Sequence, residues 1–539
     1  VNYDLNDNFT NRVTVGFDQA VQDNRNLRPY GFRQEPFGIL YTGVHNFETL
    51  TLDYVGNYRL QLTNRLRTTL SVGGQSVTTN QRAVRAEANN FPGPGDPDID
   101  SGANRLGFET RLRQVTAGFF TQALFDISDR YFVTVGLRVD GNSAFGQDFG
   151  LQSYPKVSGS YVISEEGFWN SSLGTLKLRA AYGQSGRAPG PFDAERTWNA
   201  IGYGGDPAYT PRNLGNPNLG PERTGEIEFG FDWSGFDDRL TAEFTWFRQR
   251  TTDALFNVRR APSEGFALSQ QENVGKIQNR GVELNARYTV FEGGDCGLGL
   301  ASCLFTNNSE VLDLGDAVPF AAGGGWIEEG YPVMAIRGVK FRNGNAREDP
   351  VPCSSDLDPS RACYQLDEIL GPQQPTRTIT FSPVLRMPFG IELSARAEYQ
   401  GGHWIGDGPS NEGFDRGIRW PTCADYYELE RAGRADEATA ERRYYCKGGI
   451  YRRGTVRWKA DFAKLRDVTL RVPLGDMLPG TTSSTLTLSA QNAYRWRNSE
   501  FPIFDPEMVS NTGFGDQNPS ITEHIPPPAT FVASLRVNF

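Results

Sequence analysis

The sequence predicts an all-β protein, an antiparallel β-barrel that crosses a membrane with its strands. Three observations carry this reading. Apolar and polar residues alternate with a period of two in segment after segment, the pattern of a strand whose two faces meet different solvents. No helical period separates those segments. The connections alternate between tight turns and very long loops, which is the asymmetry of a barrel in an outer membrane.

The elements follow in order. Residues 1–5 read as strand material, and residues 8–21 carry Val13, Val15 and Phe17 on one face. Residues 46–62 place Leu50, Leu52, Tyr54, Tyr58 and Leu60 together, and after the turn at Thr63-Asn64 the chain returns through Leu66, Leu70 and Val72. Residues 107–125 and 130–140 form the next hairpin, with Tyr131, Val133, Val135, Leu137 and Val139 facing outward. Residues 151–163 and 174–184 come next. In 224–234, Ile227, Phe229, Phe231 and Trp233 alternate with Glu226, Glu228, Gly230 and Asp232, and 238–252 returns with Leu240, Ala242, Phe244 and Trp246. Residues 279–290 set Val282, Leu284, Ala286, Tyr288 and Val290 against Glu283, Asn285, Arg287 and Thr289, and 297–310 pairs back. Then come 376–387, 391–402, the hairpin of 456–474 with 484–496, and a closing strand over 529–539. The expectation is about 17 strands, the first of them partial. Short turns fall near 63, 127, 236, 293, 389 and 479, and long loops at 22–45, 80–106, 185–222, 253–277, 311–375, 403–455 and 497–528. Loops of that length in a compact fold usually serve a function, so recognition is expected in them and in the upper lumen.

Composition narrows the class. The chain has 539 residues, 38% of them hydrophobic, and no long apolar run. A transmembrane helix needs about 18 or more such residues in succession, whereas barrel strands need apolar residues only at alternate positions. The 60 glycines, 35 phenylalanines and 21 tyrosines suit turns, strands and interfacial aromatic girdles. A net charge of −10 argues against nucleic acid as a partner. No shift in composition marks a boundary, so residues 1–539 are read as one barrel domain. An exported barrel is made with a targeting segment and none opens this chain, so a fragment of a longer protein is expected.

Residues that carry chemistry are few. Cys296, Cys303, Cys353, Cys363, Cys423 and Cys446 fall in three sequence-local pairs. An oxidising compartment makes them disulfides, expected as Cys353–Cys363, Cys423–Cys446 and Cys296–Cys303. No C-x-x-C and no nearby histidine frames a zinc site. His45, His403 and His524 lie far apart in predicted loops, and no phosphate-cradling G-x-x-x-x-G-K-[ST] segment occurs. Asp96, Asp98 and Asp100 have calcium-loop spacing, but Ser101 and Gly107 stand where such a loop needs Gly and Glu, so a solvated acidic loop is expected. The pattern specifies no catalysis, no metal and no cofactor. The long loops do offer aromatic surface. Trp198, Tyr203, Tyr209, Trp326, Trp404 and Trp420 are the candidates for stacking on a sugar ring or gripping a peptide, although such residues also anchor interfaces and fill loop cores.

Several motifs go beyond alternation. Residues 178–186 read L-R-A-A-Y-G-Q-S-G, residues 216–226 N-P-N-L-G-P-E-R-T-G-E, and residues 273–284 N-V-G-K-I-Q-N-R-G-V-E-L. In that order they resemble the LRASYGxSG, NPxLxPExxxxxE and NxGxIxNxGxEL elements of TonB-dependent outer-membrane receptors. Asp129-Arg130-Tyr131-Phe132 with Arg138-Val139-Asp140-Gly141 is similar to a further element. Residues 461–470 (D-F-A-K-L-R-D-V-T-L), Gln491-Asn492 and Asp505-Pro506-Glu507 resemble the SusC/RagA branch. The resemblance covers essentially the whole chain.

It implies a barrel of about 22 strands, of which this chain supplies the last part, with an N-terminal plug and TonB box outside it. It also implies active import across the bacterial outer membrane, lipid around the barrel, long loops outside the cell, and a solute that is an oligosaccharide or oligopeptide. The implied partners are a SusD-like surface lipoprotein acting as a lid and the TonB-ExbB-ExbD system, which pulls on the plug by strand addition. Physically, the Asn-Pro and Gly-Pro steps fix turns, and Glu222, Arg223, Glu226 and Glu228 read as a charged lumen or rim network. Two other readings stand beside this one, the first within transport and the second of a different, structural class. A lidless siderophore or cobalamin receptor is disfavoured by the D-F-x-K-L-R segment, and a structural barrel would anchor a surface assembly through loops 311–375 and 403–455. A soluble β-rich enzyme is the remaining class, and independence from detergent would be its mark.

Overall fold

The structure, a computed structural model, describes the chain apart from residues 147–149, 260, 262, 264, 267, 323, 408–422, 448–456, 478, 500, 502–504, 509–519 and 522–525. It resolves into two compact units. The first is Val1–Tyr161 with Ala181–Gly225 and Asp253–Asn273, and the second is Val162–Ala180 with Glu226–Thr252 and Val274–Phe539.

In the first unit the strands Asn2–Asn6, Phe9–Arg28, Ile39–Thr63, Leu66–Asn89, Asn104–Ile127, Tyr131–Asn142 and Gln152–Val162 pair antiparallel, each with its sequence neighbour. The register puts Val13, Val15 and Phe17 opposite Tyr54, Leu52 and Leu50 on one face. On that face Phe17 is 64% and Phe119 74% exposed. Apolar side chains so open on a sheet face belong in hydrocarbon. At the short-turn end the same face carries the ring pairs Phe9–Tyr58 at 6.2 Å and Tyr131–Tyr161 at 4.7 Å, an aromatic girdle of the kind that marks a membrane interface.

The strands from Phe9 to Ile127 are 20, 25, 24 and 24 residues long, although about 9–11 residues cross a bilayer. The expected loops at 22–45 and 80–106 therefore contract to 29–38 and 90–103. Above the bilayer both faces are wet, so the alternation that marks a strand disappears while the backbone pairing continues. Gln22, Asp23, Asn24, Arg25 and Asn26 are all polar yet pair with His45 back to Tyr41. His45 is thus a strand residue, and Arg85 Nε donates to its Nε2 at 3.1 Å. Leu40, Ala88 and Phe91 close the tip with a small buried cluster.

In the second unit the strands Leu240–Thr252, Lys276–Gly293, Cys296–Thr306, Arg377–Met387, Ile391–Gly401, Phe462–Gly475, Ser483–Arg497 and Thr530–Asn538 follow one another antiparallel. The segment read as one strand over 297–310 is interrupted at Asn307, and both its pieces pair back on the same strand, Cys296–Thr306 with residues 283–293 and Asn308–Asp313 with residues 276–280. The strand Glu222–Gly235 lays Phe229 against Trp246 and Phe231 against Phe244, at 6.0 and 5.5 Å between centroids.

Two of the three expected disulfides form, Cys353–Cys363 and Cys423–Cys446. Cys296 and Cys303 are free thiols. They stand seven residues apart on one extended strand, which separates them by about 23 Å and points them to opposite faces. The Cys423–Cys446 bridge joins two helices, Ala424–Arg431 and Ala440–Cys446, inside a segment expected to be loop.

The two faces of the sheet set an expectation for stability. Val135→Arg places a charge on the apolar face and should cost about 2–4 kcal/mol if it lies near mid-membrane, whereas Thr134→Arg on the opposite face should cost well under ~1 kcal/mol. Denaturant unfolding of protein refolded into vesicles measures both, and equal costs would contradict the assignment of faces.

Candidate functional site

The polar face of the wall holds a recess in each unit. In the first, a cavity of about 480 Å³ is lined by Phe120, Arg138, Asp140, Tyr154, Lys156 and Gln184. Arg138 pairs with Asp140 at 2.8 Å and reaches Gln75 Oε1 at 3.2 Å. In the second, a cavity of about 390 Å³ gathers Glu226, Glu228 and Glu283 with Arg179, Gln249 and Asn279. Arg179 is held by Asp232 at 2.8 Å and by Thr245 Oγ1 at 3.3 Å. Of the four charges expected to act together, Glu226 and Glu228 line this second recess. Glu222 and Arg223 lie in the first unit, where Glu222 accepts from the Leu255 amide at 3.0 Å and Arg223 donates to Gln152.

The sequence motifs prove to be joints. Asn273 accepts from the Gly220 amide at 2.8 Å and donates to the carbonyls of Gly220 and Asp253, both at 2.9 Å. The N-x-G element thereby grips the N-P-x-L-G-P element, whose Leu219 is fully buried. Gly275 has φ +70 and sits so close that a Cβ would meet the Asp313 carbonyl, so only glycine fits there.

The D-F-x-K-L-R and D-P-E segments meet in an ionic clasp. Lys464 Nζ lies 2.8 Å from Asp505 and also bonds Glu507, with the side chains of Lys464 and Asp505 only 3% and 2% exposed. Arg466 bridges Glu398 at 2.8 Å and Glu507 at 2.6 Å, and Arg495 reaches Asp505 at 3.1 Å. Arg466 occupies a β-bulge, since Ala397 opposes Leu465 while Arg396 opposes Asp467. The partner strand slips at the same level, between Gln491 and Tyr494, and Asn492 takes φ +53. Asn tolerates that left-handed backbone better than most residues, which gives the Gln-Asn motif its physical reason. A bulge re-aims a side chain, here a guanidinium onto two carboxylates. Burial opposes the charge of Glu507, but its bonds to Arg466 and Lys464 prevail and hold it down to about 2.

On the long-loop side of the clasp, Asp461 accepts from the Gly402 amide at 2.7 Å. His403 beside it is 4% exposed, and among the described residues its Nδ1 has no hydrogen-bond partner. Burial pulls its pKa down to about 4, against the opposing charge of Asp461.

The candidate aromatics are dispersed. Trp198, Tyr203 and Tyr209 stand on a two-stranded arm, Thr197–Tyr203 with Asp206–Asn213. Trp198 and Tyr209 share one face of it, 52% and 75% exposed, and Trp198 leans on Phe266 at 6.2 Å. Tyr203 is 79% exposed on the other face. Trp326 is engaged within its loop, under the Arg337 guanidinium at 3.9 Å and donating to Glu328 at 2.8 Å. Trp404 is half-buried, with Lys459 over its ring at 5.8 Å. Trp420 lies outside the described residues. Sequence reasoning missed a third aromatic group. Phe341, Tyr364, Tyr444, Tyr445 and Trp458 pack in a chain of centroid contacts between 4.7 and 5.7 Å. Both disulfides flank it, and Asp349 ties it together through Lys447 at 2.7 Å and Arg443 at 3.4 Å. The Ala-, Glu- and Arg-rich run around 424–443 is a helix signal that could have revealed it. Asp96 of the acidic loop pairs with Arg25.

A family profile described as TonB dependent receptor-like, beta-barrel matches residues 1–346. TonB-dependent receptor P26 of Formosa agariphila is 27% identical over 472 residues, covering 78% of this chain and 46% of that protein. TonB-dependent receptor SusC of Bacteroides thetaiotaomicron is 25% identical over 226 residues, covering 38% of this chain and 22% of that protein. The chain spans about half the length, or less, of the curated relatives it matches. Among solved structures, the RagAB peptide transporter superposes with a TM-score of 0.79 at 16% identity, covering 100% of this chain and 61% of that one. The ferripyoverdine receptor of the outer membrane of Pseudomonas aeruginosa gives 0.51 at 10% identity, covering 90% and 50%. These superpositions speak to the fold.

Two expectations follow from the clasp and its neighbour. Asp505→Ala leaves Lys464 buried with Glu507 alone and should cost about 2–4 kcal/mol in denaturant unfolding, whereas the paired change K464M/D505L should cost much less, because uncharged side chains remove the desolvation with the attraction. Equal losses in the two would show the pairing to be incidental. His403 takes up its proton at its ordinary 6.5 when unfolded but only near 4 when folded. Its contribution is therefore complete above pH 6.5 and lost as the pH falls toward 4, at up to about 1.4 kcal/mol per pH unit. His403→Phe should flatten the pH dependence of stability in that window, and an unchanged slope would contradict the assignment.

Proposed function

Because this chain belongs to the TonB-dependent receptor β-barrel family and is of the SusC/RagA type, we propose that it walls an outer-membrane importer of oligopeptides or oligosaccharides. Its long loops stand outside the cell, a SusD-like lipoprotein covers its mouth, and the TonB-ExbB-ExbD system drives it through a plug. The work is binding and passage, with no bond made or broken in the solute. The polar recesses then line the lumen. The Trp198–Tyr209 face supplies a stacking surface at the entrance, and the disulfide-stapled lobe stiffens the rim where a lid would bear.

The observation that carries this reading is the likeness of the whole chain to the RagAB peptide transporter, together with the joining of D-F-x-K-L-R to D-P-E. The peptide is favoured over the sugar by that likeness alone.

The test uses the full-length receptor purified from detergent-solubilised outer membranes. A co-purifying surface lipoprotein, and TonB-dependent uptake of dye-labelled peptides, are expected. Uptake of ferric chelates without a lid, or a surface assembly with no uptake, would overturn the proposal. W198A and Y209A should each weaken solute binding about 2- to 10-fold, the worth of one stacked ring, as read by calorimetry on the receptor.

A further inference from the structure

The outward face of the first unit changes chemistry abruptly along the Asn104–Ile127 strand. From the girdle upward, Phe125, Ala123, Thr121, Phe119, Ala117 and Val115 share that face and none is charged. Arg113 and Arg111 come next. From the level of Ile127, beside the Tyr131–Tyr161 girdle, to Arg113 the climb is about 36 Å, taking ~3.4 Å per residue and a tilt of ~40°. Hydrocarbon with its headgroup layers measures about 40–45 Å. Arg113 and Arg111 therefore stand in the headgroup layer opposite the girdle.

Their setting is unusual for a strand pair. Arg111 lies directly across from Arg82, and Arg113 across from Asn80. Like charges opposed on adjacent strands repel. One carboxylate relieves this in part, since Glu109 Oε1 accepts from Arg82 Nε at 2.9 Å and from Arg111 Nε at 2.8 Å. Three guanidiniums against one carboxylate leave excess positive charge. All three arginines are exposed, and among the described residues no acid pairs with Arg113. Glu48, in Arg113's row beyond Asn80, and Asp23, in Glu109's row, are the other acids on this face nearby.

We propose that Arg82, Arg111 and Arg113 form a binding seam for the phosphates of lipid headgroups in the leaflet on the long-loop side. A guanidinium fork matches a phosphate's oxygens, and a bound phosphate completes the neutralisation that Glu109 begins. The seam rests on the membrane-spanning reading above. It adds to it a headgroup preference confined to one stretch of the wall.

The test places the full-length receptor in phosphatidylcholine nanodiscs containing a small fraction of phosphatidic acid and counts retained phosphatidic acid by native mass spectrometry. R113Q should retain it about fivefold less tightly, and R82Q/R111Q/R113Q about a hundredfold less, at the usual worth of an arginine near an anionic surface. E109Q should retain it more tightly. If the triple variant fails to fold, R113Q and E109Q decide the matter by moving in opposite directions. Wild-type affinity in R113Q, or displacement of the lipid by millimolar inorganic phosphate, would overturn the seam. Quenching of the tryptophans by brominated acyl chains is the independent control. A protein that resists such quenching overturns the membrane reading and the seam together, whereas a quenched protein without headgroup preference overturns the seam alone.

Discussion

Backbone hydrogen bonding in hydrocarbon is the constraint from which the rest follows. A strand within a bilayer finds no water for its N–H and C=O groups, so each must be met by a neighbouring strand. Pairing from Ile39 opposite Asn89 down to Thr63 opposite Leu66 shows the result, with one irregularity that falls at the turn. Beyond the bilayer the constraint relaxes. There the chain forms helices, short three-stranded sheets and a two-stranded arm, because water can satisfy whatever the backbone leaves unpaired.

The same division decides what the sequence could disclose. Where one face meets lipid, alternation is enforced by transfer energy, and the hairpins at 224–252 and 376–402 lie where the pattern puts them. Where both faces meet water, nothing enforces it. Gln22 to Arg28 and Asn80 to Asn89 continue their strands on backbone pairing alone, so hydrophobic periodicity read them as loops. The cysteines show the opposite error. Sequence proximity suggested Cys296 with Cys303, but proximity along an extended strand is distance in space. For Cys353–Cys363 and Cys423–Cys446 the intervening chain turns back on itself, and nearness in sequence becomes nearness in fact.

The candidate site was legible in its motifs but not in their purpose. Lys464, Arg466, Asn492 and Glu507 each belong to a segment that stands out in the sequence, and nothing in one dimension shows that they converge. The bulge accounts for it. An extra residue at Arg466 turns the guanidinium toward Glu398 and Glu507, and the left-handed Asn492 absorbs the matching slip. The aromatic candidates fared differently. Trp326 and Trp404 are occupied by Arg337 and Lys459, which leaves the arm with Trp198 and Tyr209 as the open aromatic surface among the described candidates. Cation–π partners are set by tertiary packing, so the sequence alone could not separate the two kinds.

Loops that must hold a shape outside the bilayer have little apolar residue to do it with. The second unit answers with two devices that do not depend on a large core. One is covalent, the pair of disulfides around the Phe341–Tyr445 cluster. The other is ionic, the clasp that seats Asp505 and Glu507 on strand residues. A buried ion pair adds little net stability compared with apolar packing, but it tolerates only one arrangement of its partners. Such a device specifies position better than it adds strength. The chain as a whole keeps its fold at 16% identity to the RagAB peptide transporter. Differences in solute among such proteins are then to be sought on the rim, above the level where hydrocarbon dictates every second residue.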